Sequence, residues 1–211
     1  FKPPGGLYRH RYDGEIMYTD HWIGKMLESL EKKGMLKNTV IILTSDHGEG
    51  LSKKEDHGSL KHSANLYDEL LKVPLIIVGP GIKPRRVKTP VSIIDIPSTM
   101  MELAGLPPSP AHRGMSLVPY LKGENLPHPP LYFEKHRRED APEKAMLKWP
   151  YKVIGKLRTK RTKIYDLEKD PKERRRLKKS DLPPGKYDQL VKDLWHWVHH
   201  IRKGYKDHYR H

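Results

Sequence analysis

The chain has 211 residues, of which 36% are hydrophobic and 32% charged, and its formal net charge is +15. This length suits one large domain, or one domain with a small appendage. No apolar run is long enough to span a bilayer. The complete lack of cysteine excludes disulfides, thiolate metal sites and a cysteine nucleophile from this chain.

The first part of the chain alternates helical and extended patterns. Apolar side chains recur at helical spacing over residues 13–33, and Gly34 follows as a stop signal. The predicted elements, in chain order, are a helix over 13–33, a strand over 38–44, a loop over 48–63, helical turns over 64–72, a strand over 73–79 and a helix over 92–108 with Asp95 as its N-cap. Both strands are apolar throughout, as in parallel sheets whose two faces are covered.

From residue 106 onward the sequence predicts irregular chain, then short strands and a final helix. Residues 106–130 hold seven of the 19 prolines, which predicts irregular chain. Three short strands, over 130–136, 151–158 and 162–168, and a helix over 187–203 are expected after it. We therefore predict an α/β fold with part of a mostly parallel sheet flanked by helices, over residues 1–129. Residues 130–211 are predicted to form a small C-terminal α+β subdomain of antiparallel strands and a terminal helix.

Most of the positive charge lies in the predicted C-terminal subdomain. Residues 1–134 hold 17 Lys and Arg against 15 Asp and Glu, or +2, whereas residues 135–211 hold 24 against 11, or +13. Such a field attracts polyanions. For the run KERRRLKK at 172–179, a solvated surface without a specific partner is the favoured interpretation.

A polar turn follows the first predicted strand, where the run VIILT ends in Ser45-Asp46-His47-Gly48. A carboxylate beside an imidazole can supply two ligands to a divalent cation. Adjacent side chains of a strand point to opposite sides. Gly48, which tolerates unusual dihedral angles, is expected to break the strand and let both side chains reach one ion. Two ligands do not hold a metal alone, and the alternative is an Asp46 that caps a turn beside a packed His47.

Several separate motifs resemble the sulfatase family of the alkaline phosphatase superfamily, in the family's order and over most of the chain. They are SDHGEGL at 45–51, the preceding helix at 12–30, KHSANLYDELLKVPLIIVGPG at 61–81, the stretch from VSIIDIPSTMMELAGLPP to GMSLVPYLKGE at 91–124, and YKVI through KIYDLEKDPKERRRL at 151–177. The resemblance implies that Asp46 and His47 bind a divalent cation, commonly Ca²⁺. It also implies that Lys61 or His62, just before LYDELLKVP, contacts the sulfate or the leaving group.

The roles of Lys61 and His62 stay open because the spacing to LYDELLKVP is slightly longer than the usual pattern. His62 could protonate the leaving oxygen as a general acid. Glu49 could orient His47 or be solvated. His57 is interpreted as a loop histidine rather than a site residue.

The family's nucleophile has no counterpart in this sequence. It is a formylglycine made from Cys or Ser in a C/S-x-P-x-R motif, and a pair of metal-binding Asp residues lies near the family's N-terminus. The stretch SPAHR at 109–113 has its proline at the wrong offset. The chain begins with FKPPGG, without Met, where the second half of a sulfatase would begin. We therefore expect it to supply part of the metal site, with the formylglycine in a preceding segment.

The predicted function is that of a metal-dependent sulfuric ester hydrolase, of arylsulfatase type, acting on a sulfated, anionic small molecule or saccharide. One alternative is a phosphodiesterase or phosphonate monoester hydrolase of the same superfamily. Another is a truncated, non-catalytic module that binds polyanions through residues 135–211. Nucleic acid is not expected as a partner, and the sequence leaves the oligomeric state and the compartment open.

Overall fold

The computed structural model describes residues 7–52, 57–58, 62, 65–135 and 142–208. Up to residue 103 the described chain contains three helices and two strands, with short 3₁₀ turns before β1 and before α3. In chain order they are α1 (Leu7–Lys32), β1 (Ile41–Thr44), α2 (Asp68–Leu71), β2 (Leu75–Val78) and α3 (Ile96–Leu103). The predicted helix at 13–33 and both predicted strands are confirmed, with β1 and β2 shorter than expected.

Strands β1 and β2 are antiparallel, so the predicted parallel arrangement is wrong for this pair. Ile41 lies opposite Val78, and Thr44 lies opposite Leu75. An apolar run indicates that both faces of a strand are covered by other elements, but it does not indicate the direction of the neighbouring strand. Here the chain between the two strands returns through the single turn of α2 and reverses direction, whereas parallel neighbours need a crossover.

Asp95 lies at the start of α3 but does not cap it as predicted. Its side chain accepts hydrogen bonds from the backbone N–H of Ser92, at 2.7 Å, and of Met115, at 3.0 Å. The Nε2 atom of His128 lies 3.0 Å from the same carboxylate. Asp95 is only 1% exposed; it completes a capping box with Ser92 at the start of the 3₁₀ turn before α3, and it joins this turn to the irregular chain that follows α3.

The C-terminal part is a four-stranded antiparallel meander followed by a long helix. After α4 (Val118–Lys122) come β3 (Leu131–Lys135), β4 (Glu143–Lys148), β5 (Tyr151–Lys156), β6 (Thr162–Asp166) and α5 (Lys186–His208). The antiparallel sheet and the terminal helix are confirmed. Strand β4 was not predicted, because the lysines of EKAMLK occupy positions that share a face with Met146, where a buried strand would carry apolar side chains. Lys144 is nevertheless buried, beside Glu134.

The two faces of this sheet are covered by different elements. Met146, Val153 and Ile164 pack under α5, which buries Leu190 and Leu194 against them. The opposite face carries Ala145, Ile154 and Tyr165, and it packs against Leu66 and Tyr67 from the segment that leads into α2. Burying such aliphatic side chains contributes about 1.5–3 kcal/mol each. The division into units 1–129 and 130–211 stays a prediction.

Helix α1 keeps several large apolar side chains in contact with solvent. Ile16, Met17, Trp22 and Met26 are each about half exposed.

Among the described helices, none combines the length and the apolar character needed to cross a membrane.

Candidate active site

Asp46 and His47 lie together in the turn that follows β1. The Oδ2 atom of Asp46 is 3.6 Å from Nε2 of His47. The Nδ1 atom of His47 lies 2.8 Å from the carbonyl oxygen of Gly48, which can only accept, so Nδ1 carries the proton. In the neutral ring Nε2 therefore presents its lone pair beside the carboxylate.

This arrangement fits two neighbouring ligands of one ion. Two atoms that each lie about 2.4 Å from a common Ca²⁺ ion at a right angle are about 3.4 Å apart, close to the 3.6 Å between Asp46 Oδ2 and His47 Nε2. The other carboxylate oxygen of Asp46 accepts from the backbone N–H of His47 at 2.9 Å and so fixes the carboxylate. Within the part of the chain that the structure describes, no third His, Asp or Glu completes a metal cluster.

Gly48 is required by a close backbone approach and not by an unusual dihedral angle. A Cβ atom at this position would lie 2.2 Å from the carbonyl oxygen of Glu69. The Gly48 N–H donates to the carbonyl oxygen of Leu70 at 2.9 Å. The φ angle of Gly48 is not positive, so the expected reason was wrong. The glycine lets α2 press against the turn that presents Asp46 and His47.

His62 is brought to the same turn. Its ring lies 4.5 Å from the ring of His47, centroid to centroid, with a tilt of 35°. The Nδ1 atom of His62 is 3.3 Å from Oε2 of Glu49. Glu49 therefore contacts His62, whereas the sequence suggested it for His47. Lys61, the other predicted catalytic residue, lies outside the described residues.

His57 connects three segments of the chain. Its ring stacks on Tyr67 at 3.7 Å, its Nδ1 atom lies 3.1 Å from the carboxylate of Glu69, and its Nε2 atom lies 3.0 Å from the carbonyl oxygen of Glu173. It also has a positive φ of 48°, a conformation that residues other than glycine seldom adopt. These contacts make His57 a packing and hydrogen-bonding residue, in agreement with its interpretation as a loop histidine.

A buried ion network supports α2 from the C-terminal sheet, and sequence reasoning gave it no role. The Nζ atom of Lys152, fully buried, lies 2.8 Å from Asp68 and 3.0 Å from Glu173. Glu173 also accepts from the backbone N–H of Asp68 at 2.7 Å. The signal was present, since Lys152 belongs to YKVI and Glu173 to DPKE, but spacing alone does not show that the two motifs meet.

Burial in and beside this network raises the pKa of one carboxyl group and of two tyrosine hydroxyls. Burial raises the pKa of Glu173, although the nearby Lys152 ammonium opposes the shift. Burial likewise raises the pKa of Tyr67 and of Tyr165, whose hydroxyl oxygens are 3.2 Å apart. The region is therefore poorly solvated, as expected for packed residues that support the turn at Asp46 and His47.

Two family models match the chain. Residues 5–106 match the sulfatase model, and residues 56–204 match the model of the N-sulphoglucosamine sulphohydrolase C-terminal region. A choline-sulfatase from Rhizobium meliloti (strain 1021) is 33% identical over 188 residues, which cover 87% of this chain and 35% of that protein. A Δ4,5-hexuronate-2-O-sulfatase from Bacteroides thetaiotaomicron is 30% identical, with 87% and 39% covered.

Solved structures with a similar fold also include sulfatases. A sulfatase structure described as putative, from Bacteroides thetaiotaomicron VPI-5482, superposes with a TM-score of 0.64 at 30% identity, over 82% of this chain and 38% of that one. A protein solved with its substrate D-glucosamine-2-N,6-O-disulfate gives 0.69 at 26% identity, over 91% and 40%. A phosphonate monoester hydrolase from Silicibacter pomeroyi, at 0.66 and 21% identity over 87% and 38%, shares the fold.

These relatives are longer than the present chain, which spans 35% of the choline-sulfatase and 39% of the hexuronate sulfatase. The matches nevertheless cover nearly all of it, in both sequence and structure. They include the turn after β1 and the C-terminal sheet with its terminal helix. The chain belongs to the sulfatase family.

Proposed function

We propose that the protein is a sulfuric ester hydrolase in which Asp46 and His47 are two ligands of a divalent cation, Ca²⁺ being the expected ion. The observation that carries this proposal is the pairing of Asp46 Oδ2 with the lone-pair nitrogen of His47 at 3.6 Å. Carboxylate oxygen and neutral imidazole together suit a divalent cation. Family membership supports the assignment, and further ligands would come from outside the described residues.

The bound cation would stabilise the negative charge that develops on the ester oxygens. We assign His62, beside His47, to the leaving oxygen, where its imidazole would donate a proton. Glu49 would hold the ring of His62 in place through Nδ1. Lys61 would neutralise the sulfate. The nucleophile, a formylglycine in this proposal, belongs to a segment other than these residues.

We propose a sulfated saccharide or a small sulfate ester as the substrate. The relatives that support this are named for choline sulfate and hexuronate 2-O-sulfate chemistry, and a structural neighbour binds a glucosamine disulfate. Units 1–129 and 130–211 would then have separate tasks, with the first holding the cation and the second supporting it through the Lys152 network.

The test compares sulfate monoesters with phosphate monoesters and diesters in the full-length protein, after EDTA treatment and after Ca²⁺ is restored. Sulfate hydrolysis should return with Ca²⁺, and Asp46→Asn should lower it at least about 100-fold because several kcal/mol of charge stabilisation is lost. Asp20→Asn, the same change on the exposed surface of α1, is the matched control. Preferred cleavage of phosphate diesters, or full activity in Asp46→Asn, would contradict the proposal.

A further inference from the structure

A cavity of about 610 Å³ lies against the C-terminal sheet, on the face away from α5. It opens between strands β5 and β6 and the segment that leads into α2. Its volume is within the range of about 300–1,000 Å³ that small-molecule sites occupy. The residues of its lining that matter here are His57, Tyr67, Lys156, Arg161, Lys163 and Arg176.

The lining is strongly cationic. Four Lys and Arg side chains face one carboxylate, that of Glu143, which pairs with Lys156 at 3.8 Å. Lys163 donates to the hydroxyl of Tyr67 at 2.8 Å, and Arg176 donates to the carbonyl oxygen of Thr162 at 2.8 Å. Both acceptors are neutral. Among the described residues, no carboxylate pairs with Arg161, Lys163 or Arg176, so their charge is available to a ligand.

One wall of the cavity is aromatic. The rings of Tyr67 and His57 are stacked at 3.7 Å with an angle of 9° between them, and Tyr67 is buried. An aromatic wall beside fixed donors is typical of sites that orient a ring-shaped ligand. Because Lys163 is tied to the Tyr67 hydroxyl, its ammonium is placed before any ligand arrives, which lowers the entropic cost of binding.

One residue, Glu69, contacts both the cavity wall and the Asp46–His47 turn. The carboxylate of Glu69 lies 3.1 Å from His57 in the cavity wall. The backbone carbonyl of the same Glu69 lies against Gly48, next to His47. A ligand in the cavity would therefore lie close to the candidate centre.

From this placement we infer that the cavity binds a sulfate or carboxylate group on a saccharide, distinct from the ester that is cleaved. The inference rests on the proposed function for its link to catalysis, but the binding itself is independent of turnover. Arg161 and Arg176 can each offer paired N–H donors, a geometry that matches sulfate and carboxylate oxygens.

Calorimetry on the full-length protein tests the binding with three probes: a trisulfated heparin disaccharide, its unsulfated uronate counterpart and neutral chitobiose. The double variant Arg161→Gln/Lys163→Gln should weaken the charged disaccharides about tenfold and leave chitobiose unchanged. Lys192→Gln, an exposed change on α5 across the sheet, removes charge without touching the cavity and should have little effect. Arg161→Lys keeps the charge and should lose only part of the affinity.

The unsulfated probe separates the two anion sources, since binding that survives without sulfate assigns the cavity to a carboxylate. Equal weakening by Lys192→Gln and the double variant would mean a general field and would overturn the inference, as would unchanged affinity in the double variant. If the protein cleaves no sulfate ester yet binds these probes through Arg161 and Lys163, the proposed function fails and the cavity assignment stands.

Discussion

Replacing Lys152 by methionine would remove the ammonium group that holds two carboxylates beneath α2. Lys152 is fully buried, and its Nζ atom contacts Asp68 at 2.8 Å and Glu173 at 3.0 Å. Without it, the nearly fully buried Glu173 loses its only cationic partner among the described residues. Breaking a buried ion pair by removing one partner costs about 3–5 kcal/mol, so we expect Lys152→Met to lower the free energy of unfolding by about that amount.

Urea denaturation of the full-length protein measures this loss, and a double-mutant cycle attributes it. Lys152→Met/Glu173→Gln should be less destabilised than the sum of the two single variants, by about 1 kcal/mol or more, because the uncompensated charge is then gone. Lys148→Met is the matched control: Lys148 pairs with Asp193 at 3.0 Å but is about half exposed, so it should cost at most about 1 kcal/mol. Strictly additive changes, or equal losses in Lys152→Met and Lys148→Met, would show that Lys152 and Glu173 do not stabilise the fold as a buried pair.

Three further predictions follow from single contacts. Gly48→Ala would place a Cβ atom 2.2 Å from the carbonyl oxygen of Glu69, so Ca²⁺ affinity measured by calorimetry should fall at least about tenfold; unchanged affinity would contradict the close approach. The pKa of Glu173 in the folded state is raised above its ordinary 4.5, so the folded state binds this proton more tightly than the unfolded state does. The resulting contribution to stability is present below about pH 4.5 and is lost as the pH rises through the folded-state pKa. Glu173→Gln should therefore flatten that part of the pH–stability curve, and an identical slope in both proteins would exclude Glu173 as its source. Asp95→Ala removes the acceptor for Ser92 and His128 and should lower the free energy of unfolding by about 2–4 kcal/mol, whereas a loss below about 0.5 kcal/mol would show that the site is solvated.

Residue patterns were reliable where structure is local. The helices α1 and α5 follow from the spacing of apolar side chains, because helical contacts join residues three or four apart. The strand that ends before Asp46 follows from its short, continuous apolar run. Strand β4 was missed since its two lysines pair with residues distant in the sequence, Lys144 with Glu134 on β3 and Lys148 with Asp193 on α5. No local pattern contains that information.

At the candidate site the sequence indicated Asp46 and His47 through the resemblance of its ordered motifs to the sulfatase family, because a carboxylate and an imidazole after an apolar run also suit a capped turn. It also placed the chain in the right family through the order of its motifs. The antiparallel direction of β1 and β2 and the close approach of Gly48 to α2 are visible only in the folded chain. The tertiary structure alone shows that Lys152 and Glu173 meet under that helix. Strand direction, close approach and buried ion pairing depend on residues far apart in the chain, and their energies exist only once those residues are brought together.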